Sequence, residues 1–233
     1  MERARQTGDR RTSVDEIFDY LYDEIGTLQL RPGDKISEAE IAAKFGVSRQ
    51  PVRDAFSRLA NLDLLLIRPQ RATEVKRFSS KEIEKSRFVR AAVETEVLRR
   101  AAANSDAASA EIMDRALAEQ RKAIEADDFE TFGLLDYDFH NRLCQIAKVG
   151  FAFDVIAAEK AKVDRLCMLG LSKEARMPQL LEDHQAIAQA IKDGDADGAV
   201  AAGMLHLSRL DTTIEAISTL NANYFEPETG QAG

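Results

Sequence analysis

The stretch Ile36-Ser37-Glu38-Ala39-Glu40-Ile41-Ala42-Ala43-Lys44-Phe45-Gly46-Val47-Ser48-Arg49-Gln50-Pro51-Val52-Arg53-Asp54-Ala55-Phe56 reads as two helices joined by a tight turn. Ile41, Ala42 and Phe45 recur at helical spacing and can share one buried face. Gly46 supplies the positive φ that ends the first helix, and Val47 is the apolar plug behind the turn. Ser48 suits the N-cap of the second helix, and Pro51 lies in its first turn, where a missing N–H costs little. Val52, Phe56 and Leu59 continue the inner face. Arg49 and Arg53, four residues apart, point the other way from the start of the second helix. That is the geometry of a recognition helix whose first turns reach base edges in the major groove. An ordinary helical hairpin with two solvated arginines has the same pattern.

Working outward, Leu62 to Ile67 form an apolar run, Arg68-Pro69-Gln70-Arg71 looks like a turn, and Thr73-Glu74-Val75 reads as a returning strand. Two short strands after a recognition helix make a wing, with Gln70 and Arg71 at a tip that can touch phosphate or the minor groove.

These segments resemble the DNA-binding domain of GntR-family bacterial transcription regulators. The resemblance is carried by Pro32-Gly33-Asp34-Lys35-Ile36-Ser37-Glu38, then Gly46 to Arg53, then Arg58-Leu59 and the wing. It implies that Arg49 and Arg53 read bases, assisted by Ser48, Gln50, Gln70 and Arg71. Three positions depart from the family pattern. Asp63 stands where relatives usually carry glycine, so a non-glycine residue is expected in the left-handed region, which Asp tolerates better than most. Ala72 replaces a usual wing glycine. Ala39 replaces a position that is basic in some members.

Net charge is −8, at first sight unfavourable for nucleic acid. Residues 1–77, however, hold 14 Lys/Arg and 13 Asp/Glu, so nearly all the acid excess lies in the remainder. A near-neutral domain binds DNA if arginines such as Arg49, Arg53, Arg58 and Arg71 cluster on one face. There is no run of about twenty apolar residues. The N-terminus lacks the apolar core of a secretory signal, and Cys144 and Cys167 match no CxxC pattern. A cytoplasmic protein with reduced thiols, not associated with a membrane, is the expectation.

The organisation predicted is a mobile tail over 1–11, a winged helix-turn-helix over 12–76, a linker over 77–80, an all-α antiparallel bundle over 81–221 and a loose tail over 222–233. Ser13 or Asp15 can cap a first helix with Ile17, Leu21 and Ile25 inward. In the bundle, helices are expected over 80–103, 106–126, 129–148, 151–171, 174–193 and 195–220, broken at Asn104-Ser105, Asp127-Asp128, Gly150, Ser172 and Gly194. The fold class is therefore mostly α, with a small β wing.

The three histidines of the chain, His140, His184 and His206, all fall in the helical part. Asp136 and His140 are four apart and project from one helix face. Helix bundles build metal sites from such side chains on several helices. One carboxylate and three imidazoles suit Zn²⁺, Ni²⁺ or Mn²⁺. Spacing alone favours hydrogen-bonded core histidines over a metal site and leaves Asp136 open as a surface charge, and Cys144 reads as a further ligand or, more simply, a buried inert thiol.

Leu135 to Leu143, Asp183 to Ile191 and Met204 to Leu207 resemble three signature segments of the FCD effector domain, found in the FadR-like branch of the same family. Arg90-Ala91-Ala92-Val93-Glu94 resembles its first-helix signature. The resemblance implies a metal held by Asp136, His140, His184 and His206. It also implies a homodimer on a palindromic operator, acting as a repressor modulated by a small organic acid. Arg90 can pair with that acid's carboxylate in bidentate fashion; a salt bridge to Glu94, one turn away, is the structural alternative. Two rival readings use the same residues: a metalloenzyme acting on an organic acid, and a regulator that senses the metal itself. No HExxH motif and no evident general base accompany the histidines, which weighs against the enzyme.

Overall fold

The computed structural model describes residues 12–167 and 173–227. The expected tail over 1–11, the break at Ser172 and the last residues, 228–233, lie outside the described residues. The chain divides into two compact units, residues 1–78 with 223–233, and residues 79–222.

The first unit opens with α1 (Ser13–Gly26), capped by Thr12. Thr12 precedes the expected caps, and Asp15 closes a reciprocal capping box with it. The Thr12 hydrogen bond, and then Arg58, hold the Asp15 carboxyl down at about 2. Strand β1 (Lys35–Ile36), helix α2 (Glu38–Phe45) and helix α3 (Arg49–Asn61) follow, then β2 (Leu65–Leu66) and β3 (Thr73–Val75). Gly46 adopts φ 65°, the left-handed geometry expected of it. The sheet has the order β1-β3-β2, antiparallel throughout, with Ile36 opposite Thr73 and Leu66 opposite Glu74. The wing therefore has a third strand: β1 was absent from the expectation because two residues are too few to show alternation. Ile17, Leu21 and Ile25 of α1 meet Val52, Phe56 and Leu59 of α3 in one buried core.

Asp63 is in the left-handed region at φ 62°. Leu64 N–H bonds the Leu59 carbonyl and Asp63 N–H bonds that of Ala60, a Schellman closure of α3. At the wing tip the left-handed residue is Gln70 (φ 58°), so the turn does not depend on glycine at position 72.

The second unit contains α4 (Ser80–Ala103), α5 (Ala107–Glu125), α6 (Phe129–Ile146), α7 (Ala152–Cys167), α8 (Lys173–Lys192), α9 (Ala196–Ser208) and α10 (Asp211–Leu220). Ser79, Asp106, Asp128 and Asp195 accept backbone N–H bonds as N-caps. Helix α4 is central, packed on α7 and α9, while α8 lies against α5 and α9. Gly203 lets α9 approach α4 closely: a Cβ there would stand 2.2 Å from Leu98 Cδ1.

Two expectations fail here. The single helix over 195–220 is two, parted at Arg209-Leu210 without glycine or proline. Tertiary contacts pin the break: Leu210 is buried and Arg209 bonds both Asp183 oxygens at 3.1 and 3.0 Å. Arg87 pairs with Asp211 just beyond it. The described part of the C-terminal segment is not a loose tail. Ala222–Tyr224 form a 3-10 turn, Phe225 is buried, and Phe78 and Phe225 form a parallel bridge.

Candidate functional site

Three helices of the second unit carry the histidines: α6 carries Asp136 and His140, α8 His184, and α9 His206. One ligating atom from each imidazole lies within 4.8 Å of the others, and all three rings are buried. Asp136 joins them, its Oδ1 at 3.3 Å from His184 Nε2. The structure thus brings the four residues together.

Their orientation is fixed by groups that sequence reasoning did not assign to the histidines: Gln120 and Lys160, which it missed, and Glu94, which it read only as a salt-bridge partner of Arg90. His140 Nδ1 lies 3.1 Å from Glu94 Oε2, so Nδ1 carries the proton and Nε2 keeps its lone pair. Gln120 donates its amide to the Leu135 carbonyl at 3.2 Å, which leaves its oxygen to accept from His184 Nδ1 at 2.9 Å. His184 Nε2 is thereby also a lone pair. Phe139 stacks on His184 at 4.1 Å. Asp136 Oδ2 pairs with Lys160 at 2.8 Å, and Lys160 reaches Asp164 at 2.7 Å. His206 Nδ1 is 3.6 Å from Asp183 Oδ2, too long for a hydrogen bond.

The result is four buried atoms without a hydrogen-bond partner: Asp136 Oδ1, His140 Nε2, His184 Nε2 and His206 Nδ1. A folded core rarely leaves one such atom unsatisfied, since each costs about 1–3 kcal/mol. Two of them, on Asp136 and His184, face each other as acceptors.

Electrostatics favour the ligating forms. Burial would raise the Asp136 carboxyl, but Lys160 and the imidazoles outweigh it and hold it far below the usual range. Burial likewise opposes the Glu94 charge, yet His140 and Arg90 hold it at about 2. Burial, and then His206, drive His184 well below its ordinary value, and burial lowers His206. An ionised carboxylate beside His184 and His206, whose cationic forms burial disfavours, belongs to a donor set suited to a borderline divalent ion. Cys144 is buried, and burial pushes its thiol up to about 12, which fits the inert-thiol reading.

Arg90 is buried and bonds Glu94 through Nε at 2.8 Å. It also lines a cavity of about 150 Å³ with Arg87, Val163, Met204, Leu207 and Ser208. Arg90 therefore connects the cavity wall to His140 through one carboxylate.

In the first unit, Arg49 and Gln50 open α3 and are exposed. Arg53 is also exposed but bonds Glu38 of α2 at 3.0 Å, and Gln50 bonds Asp54 at 2.9 Å. Ser48 occupies the N-cap position without a side-chain capping bond. Gln70 and Arg71 lie exposed in the turn between β2 and β3. Arg58 does not join a basic face with them: its guanidinium bonds Asp15 at 2.7 Å and covers the Phe18 ring at 4.2 Å.

The sequence matches the model described as "FCD domain" over residues 87–209, and that described as "Bacterial regulatory proteins, gntR family" over residues 13–75. The chain belongs to the GntR family. It is similar to the HTH-type transcriptional repressor RspR of Escherichia coli strain K12, 35% identical over 213 residues, 91% of this chain and 93% of that protein. The gluconate operon transcriptional repressor of Bacillus licheniformis is 26% identical over 72% of this chain and 71% of its own length. Among solved structures, E. coli McbR/YncC shares the fold, with a TM-score of 0.63 at 16% identity over 88% of this chain and 98% of that one. GntR-family proteins are DNA-binding transcriptional regulators and not enzymes, so the metalloenzyme reading is set aside. No helix among the described residues is long and apolar enough to cross a membrane.

Proposed function

We propose that this GntR-family regulator is a repressor whose operator affinity is modulated by a small carboxylate bound at a metal site in its FCD unit. The observation that carries the reading is the convergence of four buried, unpartnered donor atoms on Asp136, His140, His184 and His206. These residues would hold a divalent ion, Zn²⁺, Ni²⁺ or Mn²⁺. When bound, it would supply a fixed positive charge and open positions for a carboxylate oxygen.

The chain's own groups prepare that site. Glu94 and Gln120 set the tautomers of His140 and His184. Lys160 occupies one Asp136 oxygen and keeps the carboxylate ionised, leaving the other oxygen to ligate. Arg90 offers its guanidinium to the effector from the cavity wall.

On the DNA side, Arg49 and Arg53 would read base edges, while Ser48, Gln50, Gln70 and Arg71 would contact bases or phosphate. A homodimer would set two recognition helices on a palindrome, because two-fold protein symmetry matches two-fold DNA symmetry. Coupling follows from linkage. An effector that prefers the protein state incompatible with the operator weakens DNA binding, and DNA weakens effector binding by the same factor.

Elemental analysis of the purified protein tests the site. About one equivalent of metal per chain is expected, with most of it lost in His206→Ala. Full occupancy in that variant overturns the assignment. In gel-shift titrations, Arg49→Ala and Arg53→Ala each weaken operator binding by about 1–3 kcal/mol; unchanged affinity in both removes them from the interface.

A further inference from the structure

We infer that the effector is a small dianion, and that Arg87 is its second recognition residue, which the ligand takes over from Asp211. This rests on the effector-binding role proposed above and adds the chemical class of the ligand.

The cavity holds about 150 Å³. A cavity of roughly this volume accepts a molecule the size of benzene, well below the few hundred Å³ of a pocket for larger ligands. Its two charged lining residues are both arginines, Arg87 and Arg90, three apart on α4. Ser208 adds a hydroxyl, and the rest of the lining is apolar, including Val163, Met204 and Leu207. Paired guanidiniums on an apolar wall select two anionic groups joined by a short carbon chain.

The two arginines are not equivalent. Arg90 is 4% exposed, and its carboxylate partner Glu94 also holds His140. That buried pair is expensive to break, yet a guanidinium has five N–H donors, so Arg90 can engage a ligand while keeping Glu94. Arg87 has its side chain 37% exposed, and its partner is Asp211, the first residue of α10, at 47%. A pair this exposed contributes little, and water can rehydrate Asp211 once it is displaced. Asp211 thus stands where the second carboxylate of the ligand would go.

The test uses the full-length protein loaded with one equivalent of Zn²⁺, with metal content measured before and after to exclude chelation. Calorimetric titrations compare malonate, succinate and glutarate with propionate, butyrate and valerate, their monoanions of matched length. At least one dianion is expected to bind about tenfold or more tightly than its matched monoanion. Arg87→Gln should abolish that preference. Asp211→Asn removes the competitor for Arg87 and should tighten dianion binding several-fold, a gain that general damage to the fold does not produce. Equal affinities within the matched pairs, an Arg87→Gln variant with unchanged dianion affinity, or no dianion binding at all overturns the inference. Monoanion binding that disappears in Arg90→Gln would remove the dianion but leave the effector reading standing; binding of neither class, with metal present, removes both.

Discussion

Lys160 occupies a position on α7 between Ile156 and Val163, in a stripe that is otherwise buried and apolar. A lysine there reads in sequence as an exposed charge, and only the fold sets it against Asp136. Gln120 was hidden for the same reason, as one polar residue in an apolar stripe between Leu117 and Ala123, whereas Glu94 was legible as a partner of Arg90 but not of His140. A polar interruption in such a stripe was the signal available, and it is ambiguous until its partner is known. The histidines were legible because they are rare and because Asp136 and His140 share a helix face. Lys160→Met keeps the length of the side chain and removes the charge, leaving Asp136 buried without its counter-ion. The metal-free variant should lose about 3 kcal/mol of stability by urea unfolding. A loss below about 1 kcal/mol would show that Asp136 does not depend on Lys160.

At the scale of elements, most helices follow from capping residues and apolar spacing, and their ends fall close to the expected breaks. The α9–α10 break is the exception. Residues 195–220 carry a continuous helical pattern, but Arg209 bonds Asp183 of α8 and Leu210 is buried. Those contacts outweigh the hydrogen bonds lost at the elbow, and no local residue announces them. The end of α3 is the opposite case, since Asp63 was expected to adopt positive φ from its position alone. Asp63→Gly relieves the left-handed geometry and Asp63→Ala does not, while both delete the Lys76 ion pair. The Ala variant should therefore be less stable than the Gly variant by about 1 kcal/mol in thermal unfolding of the first unit. Equal stability would mean that the backbone of Asp63 is not under local control.

At the scale of the whole molecule, the chain passes between its two units twice, after Phe78 and again before Asn223. The second passage ends on Phe225, 9% exposed, whose ring lies 5.6 Å from that of Phe78. Phe78 N–H bonds the Tyr224 carbonyl at 2.9 Å, and Glu226 N–H bonds the Phe78 carbonyl at 2.8 Å. Phe225→Ala should destabilise the first unit by about 3 kcal/mol, read as an earlier unfolding transition, with the transition of the helical unit unmoved. An unchanged first transition would show that the segment adds nothing to that unit. By itself the sequence determined the helix-turn-helix and the bundle, because capping and helical periodicity act over a few neighbours along the chain; it marked the three rare histidines, and the four candidate ligands followed only from the family resemblance. Tertiary structure alone decided what those ligands touch, that Arg87 and Arg90 share a cavity, that α9 stops at Ser208 and that Phe225 returns to Phe78. Each of these joins residues far apart in the chain, and their burial and charge pairing exist only once the helices have packed.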